Sequence, residues 1–151
     1  MFVVIAAGAV ACAQAQGDLS QMVNDAQDLY EAGRHEDAVR MATSIVTRAP
    51  DDYRGYLTRG LAHEAELRFG PAIDDYTLAI QHEPKRAGFY MRRGSVRFFA
   101  RDIDGSIADF DKVAELEPEQ RPNLWQRGIS YYYARQYKEC AAQFALHRSV
   151  N

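Results

Sequence analysis

Arg127–His147 reads RGISYYYARQYKECAAQFALH. It carries a tyrosine triplet, one cysteine and one histidine, and it admits two readings. Cys140 and His147 could be a nucleophile and its base, or the segment could be one unit of something that repeats. Seven residues separate the two side chains. On a helix that spacing gives similar faces but about 10 Å of axial separation, too far for the hydrogen bond of about 3 Å that activates a thiol. The repeat has to be sought elsewhere in the chain.

It is there. Gly60, Gly94 and Gly128 stand 34 residues apart, with Ala26 one period earlier. Pro50, Pro84 and Pro118 keep the same interval, as do Arg59, Arg93 and Arg127. Tyr76, Phe110 and Phe144 form a fourth register, preceded by Ala42. Ala38, Ala72, Ser106 and Cys140 form a fifth, so Cys140 falls at a small, packed position where a free thiol acts as an apolar residue.

Local patterning says what each unit is. Leu57, Gly60, Leu61 and Ala65 follow helical spacing, not strand alternation. Gly70-Pro71 reads as the break, with Pro71 in the first turn of a new helix. That second helix places Ala72, Ile73, Tyr76, Ala79 and Ile80 on one face, and Pro84 stops it. Asp104 is the expected N-cap of the helix carrying Ile107, Phe110, Val113 and Ala114. The glycines let the two helices of a unit approach, and the aromatics fill the gap to the next unit.

The pattern resembles the tetratricopeptide repeat, a helix–turn–helix unit of 34 residues. The resemblance covers nearly everything after the first fifteen residues. It implies an all-α, right-handed solenoid of four helical hairpins, at about 19–52, 53–86, 87–120 and 121–151. No unit can bury its apolar face alone, so stability comes from stacking. Repeat one departs from the pattern at Ala42, where an aromatic is expected.

Catalytic and metal constellations are not found. His35, His63, His82 and His147 lie in no metal-ligand spacing, and His63-Glu64 starts an H-E-x-x-H motif that Leu67 ends. There is no nucleophile elbow, P-loop or dinucleotide fingerprint. No cofactor and no metal is expected, and the chain is not read as an enzyme. The recurring arginines read either as a basic ladder for phosphates or carboxylates, or as an internal ion-pair ladder. Asp75 and Asp109, themselves 34 apart, favour the internal ladder.

In the family, first helices line a concave groove that holds partner peptides. By register, the resemblance places Ser20, Val23, Asn24, Gln27 and Tyr30 of repeat one there. Repeat two contributes Arg54, Leu57, Thr58, Leu61 and Glu64. Repeat three contributes Gly88, Met91, Arg92, Ser95 and Phe98, and repeat four Pro122, Trp125, Gln126, Ile129 and Tyr132. Aromatics, Met and Arg are the types enriched in interface cores. The expected partner-binding residues are Arg54, Leu57, Thr58, Leu61, Met91, Arg92, Ser95, Trp125, Gln126, Ile129 and Tyr132. Chaperone-binding members clamp a C-terminal carboxylate with Lys, Asn and Arg. Here Val23 and Gln27 occupy two of those places, which argues against that clamp.

The N-terminus carries a different message. MFVVIAAGAVACAQA has no charge and an apolar run from Phe2 to Ala11, too short for the ~20 residues of a membrane span. It fits the core of a secretory signal, with Ala13-Gln14-Ala15 as a cleavage motif, although no Lys or Arg precedes it. An apolar helix packed on the domain is the other reading. Ala9-Val10-Ala11-Cys12 loosely resembles a lipobox, which would make Cys12 a lipidation site and the protein membrane-anchored. The expected location is exported, periplasmic or outer-membrane associated. A net charge of -3 gives no general pull toward nucleic acid, and none is expected as partner. The expected function is a protein-interaction scaffold or adaptor, or else a helical module of a longer enzyme. Ala141, Phe144, Ala145 and Val150 have no following helix to cover them, so self-association through the last repeat is also expected.

Overall fold

The computed structural model describes the backbone of residues 2–150 and the side chains from Gly17 to Val150. Cys12 and the Ala13-Gln14-Ala15 motif, as side chains, lie outside the described residues. The chain is all-α. Its helices pair in order as α1 (Phe2–Glu31) with α2 (His35–Arg48), then α3 (Tyr53–Ala65) with α4 (Phe69–His82). α5 (Ala87–Phe99) pairs with α6 (Ile103–Leu116), and α7 (Trp125–Tyr133) with α8 (Tyr137–Arg148). Each hairpin also packs on the next, so the core is a line of contacts between neighbours. Among the described residues no helix is long and apolar enough to cross a membrane.

Every hairpin turns in the same way. Gly33, Leu67, Arg101 and Arg135 take φ of 74°, 58°, 68° and 61°. In each, the next residue's N–H bonds back five positions: Arg34 to Leu29, Arg68 to His63, Asp102 to Arg97 and Gln136 to Tyr131, at 2.8–2.9 Å. The left-handed residue itself bonds back three, as Leu67 does to Glu64 at 2.9 Å. These are Schellman caps, which satisfy the last carbonyls of the first helix. The chain therefore reverses at Leu67, ahead of the Gly70-Pro71 break expected from sequence. α4 already starts at Phe69, and Pro71 sits in its first turn, where a missing N–H has no intrahelical partner to lose. The next hairpin shows a matching shift. Asp102, not Asp104, caps α6, accepting the Gly105 N–H at 3.0 Å.

The glycine and aromatic registers meet inside each hairpin. A Cβ on Gly60 would stand 3.1 Å from the Tyr76 ring, and one on Gly94 3.1 Å from Asp109 Cβ. Tyr76 and Phe110 are fully buried, and Tyr76 also clusters with Val96 of the following unit. The ring thus seals its own hairpin as well as the junction. In repeat one, Ala26 and Ala42 are both fully buried, so that hairpin closes on two small residues. Ser106 and Ser130 face each other across the third junction, Oγ to Oγ at 3.1 Å. Cys140, one period after buried Ser106, is only half-buried. His147 points elsewhere, its Nδ1 at 2.9 Å from the Pro122 carbonyl.

The arginine register is an internal ladder. Arg59 donates Nε and Nη2 to the two oxygens of Asp75 at 3.0 and 2.7 Å. Arg93 does the same to Asp109 at 2.9 and 2.7 Å. The third arm reaches the preceding hairpin, Arg93 Nη1 to Thr77 Oγ1 at 2.9 Å. In repeat four Gln143 replaces the aspartate, and Arg127 finds its carboxylate one hairpin back, at Asp111, 2.7 Å away.

Repeat four differs in a second way. Pro118 and Pro122 lack the N–H that helical hydrogen bonds need, and Pro118–Asn123 forms a 3-10 helix. α7 is left with nine residues where α3 and α5 have thirteen. Leu124 still fills the core position of Tyr56 and Tyr90.

Three outcomes follow for stability. Leu67→Gly removes a left-handed penalty of about 1 kcal/mol at a side chain that is 72% exposed. Net of glycine's entropy cost, the urea midpoint should rise by the equivalent of about 0.5 kcal/mol. Asp109→Ala strips Arg93 and Arg97 of a carboxylate that is 2% exposed, and should cost about 3–5 kcal/mol in a thermal melt. His63 is buried with Nδ1 unpartnered, and burial, aided by Arg68, holds its pKa below 6.5. The unfolded chain therefore takes up that proton first. Stability should decline as pH falls below about 6.5 and level off below the lowered pKa, and His63→Leu should erase that step.

Candidate functional site: the inner face of the solenoid

The first helices α3, α5 and α7 carry the expected groove residues, which divide into two zones. In the N-terminal zone most are already engaged. Thr58 is buried, and Arg54 donates Nε and Nη2 to Asp52, whose carboxylate also accepts the Arg54 backbone N–H. The Arg54 side chain bonded to Asp52, the N-cap of α3, holds that carboxyl below its ordinary value. Leu57 and Met91 pack on the central core cluster, and Leu61 on the neighbouring one. Glu64 accepts the Tyr76 hydroxyl, and burial together with that bond pushes the phenol far up. Arg92 lies 3.8 Å from Glu64 with its side chain half in solvent.

The C-terminal zone is open. A concave pocket of about 250 Å³ is lined by Ser95, Phe98, Phe99, Trp125, Gln126 and Ile129, with Phe110 at its floor. Trp125 is 45% exposed and Tyr132 58%. Tyr131, next in chain to Tyr132, turns inward and donates its hydroxyl to Asp111 at 3.0 Å. The structure thus brings Ser95, Trp125, Gln126 and Ile129 together around one hollow. Thr58 and Arg54 are not part of it. Pro122, counted by register as an inner position, sits in the 3-10 helix, off α7.

Two lining residues escaped the sequence reading. The repeat pattern accounts for Phe110 as packing, yet its ring also lines the pocket. Phe99 was not singled out, and it is 65% exposed. The rings continue from the pocket along the solenoid edge: Phe69 stacks on Phe99 at 6.1 Å, and Phe98 meets Tyr133 edge-on at 5.3 Å. Tyr132 then contacts both Tyr133 and Tyr137. Among the described residues no group of three or more His, Cys, Asp or Glu is placed to hold a metal.

No family model matches the sequence. Distant relatives do. Hsp70-Hsp90 organizing protein 2 of Arabidopsis thaliana is 27% identical over 97 residues, 64% of this chain and 17% of that protein. Human tetratricopeptide repeat protein 13 is 26% identical across 82% of this chain and 14% of its own length. The lipoprotein NlpI homolog of Haemophilus influenzae is 29% identical across 54% of this chain and 26% of its own. This chain therefore spans about a quarter or less of these relatives. Among solved structures, MamA superimposes with a TM-score of 0.79 at 19% identity, over 85% of this chain and 75% of that one. Solenoids of this kind generally serve as protein–protein interaction modules and are typically non-catalytic. In fold, this chain is a tetratricopeptide-repeat array.

Proposed function

We propose that the chain is a scaffold or adaptor that holds a peptide or helix of a partner protein against the inner face of α3, α5 and α7. The observation that carries this reading is the open apolar pocket between α5 and α7. A solvated hollow walled by Phe98, Trp125 and Ile129 leaves apolar surface in water. A partner side chain that fills it recovers that free energy, and aromatic anchors in such hollows dominate binding. The same reading places the protein in the exported fraction, periplasmic or at the outer membrane. The signal-like N-terminal pattern supports this, as does the lipoprotein among the relatives.

A second reading follows from the small share of the relatives that this chain spans, 17% and 14% for the first two. The array would then be the docking module of a longer protein whose chemistry lies elsewhere. Self-association through repeat four is a third use of the same fold, supported by exposed Tyr137 and Leu146. Light scattering across a wide concentration range would show it as a rising mass.

Replacing Met91, Arg92 and Trp125 together by Ala should leave a cooperative melt and reduce partner recovery from the native envelope fraction by about tenfold or more. Unchanged recovery by a normally melting variant would remove the groove assignment.

A further inference from the structure

The first helices of the last two hairpins end alike. Repeat three closes α5 with Phe98-Phe99-Ala100-Arg101, and repeat four closes α7 with Tyr132-Tyr133-Ala134-Arg135. The same positions read Tyr30-Glu31-Ala32-Gly33 in repeat one and Glu64-Ala65-Glu66-Leu67 in repeat two. Those hairpins turn through the same cap, so the turn does not require aromatic–aromatic–Ala–Arg. Most of these rings are not buried: Phe99, Tyr132 and Tyr133 are 65%, 58% and 54% exposed, while Phe98 is half-buried. Arg101 and Arg135 are exposed and, among the described residues, make no ion pair. Both hold a left-handed backbone that glycine adopts without strain, as Gly33 does. Strained backbone carrying an exposed, unpaired charge beside exposed rings points to function.

We infer that this edge is a two-rung docking strip for an acidic peptide segment of a partner protein. This deepens the groove reading and rests on it. One large apolar side chain of the segment fills the hollow between Phe98 and Trp125. Its carboxylates pair with Arg101 and Arg135, which sit one repeat apart, and with half-exposed Arg92. The pocket favours a peptide over a planar lipid surface, because a side chain can enter a hollow that a headgroup layer only covers. Asp104 and Glu139 lie close to the two arginines in the chain, so the edge lacks the unbroken basic field that nucleic acid needs.

The test uses glycine, because Arg101→Gly/Arg135→Gly removes both charges while relieving the backbone. A random twelve-residue peptide library displayed on phage is selected on the wild-type chain, and binders are titrated against the fluorescence of Trp125, its single tryptophan. The inference expects binders with one large apolar residue and nearby Asp or Glu. It expects their emission shift to weaken about tenfold in the double variant, and to weaken with salt, while its Tm holds or rises. Binders that lack acidic residues, or that keep their affinity in the double variant, overturn it. If such binders still lose affinity in Ile129→Ala, which lines the hollow, the groove reading stands and only the strip falls. If no peptide is selected and the double variant abolishes sedimentation with phosphatidylglycerol vesicles, the edge is a membrane contact and the inference is wrong.

Discussion

A carboxylate stays buried in this solenoid because an arginine from the first helix of its hairpin reaches it with two arms. Asp75 and Asp109 are 3% and 2% exposed, and a polar group buried that deeply is costly unless it is hydrogen-bonded. Arg59 and Arg93 meet them side-on, so the angle between the two helices is set by a fork that tolerates little rotation. The third arm of each guanidinium goes to a threonine of the preceding hairpin. One residue thus fixes both the closure of its own unit and the seating of that unit on its neighbour. When repeat four gives up the aspartate for Gln143, a carboxylate reappears at Asp111, and Arg127 keeps a partner of opposite charge. Repeat one has Asp25 and Met41 in the two places, and its junction relies on Val23, Ala26 and Ile45 instead.

With the hairpin angle held in this way, the turn has little freedom. The chain must reverse within three residues, and one of them must be left-handed. Glycine is used once, at Gly33; the other three turns impose the conformation on leucine and arginine. They can do so because the cap is held by backbone hydrogen bonds, and the side chain at that position faces solvent. The position is therefore free to carry a side chain for reasons other than folding.

The parts of the fold that recur in the same environment were legible in the sequence. Gly94 meets Asp109 and Phe110 just as Gly60 meets Asp75 and Tyr76, and equal surroundings select equal residue types at equal spacing. The turns were not legible, because backbone bonds leave no side-chain signature; Gly70-Pro71 lies three residues after the left-handed Leu67. Between Asp102 and Asp104, only the position of the turn decides which one caps α6. Register assigned inner positions along the first helices without saying which were free of contacts in their own fold. Nothing in the pattern shows that Asp52 has captured Arg54, or that two prolines have shortened α7 and moved Pro122 off it.

What packing leaves unexplained is concentrated at one end. The N-terminal zone of the inner face is engaged in its own structure: Thr58 is buried, Leu57 and Leu61 support the core, and Glu64 is held by Tyr76. From Ser95 onward the same register opens into a hollow and a run of exposed rings. A solenoid built only to stack would grade evenly from unit to unit, because each junction solves the same problem. The break in that evenness coincides with the two hairpins that bring arginine to a left-handed position next to paired aromatics. The conservative ladder of Arg59, Arg93 and Arg127 makes this asymmetry affordable in energy. It secures the stack from within, so the surface of repeats three and four is released from the work of folding.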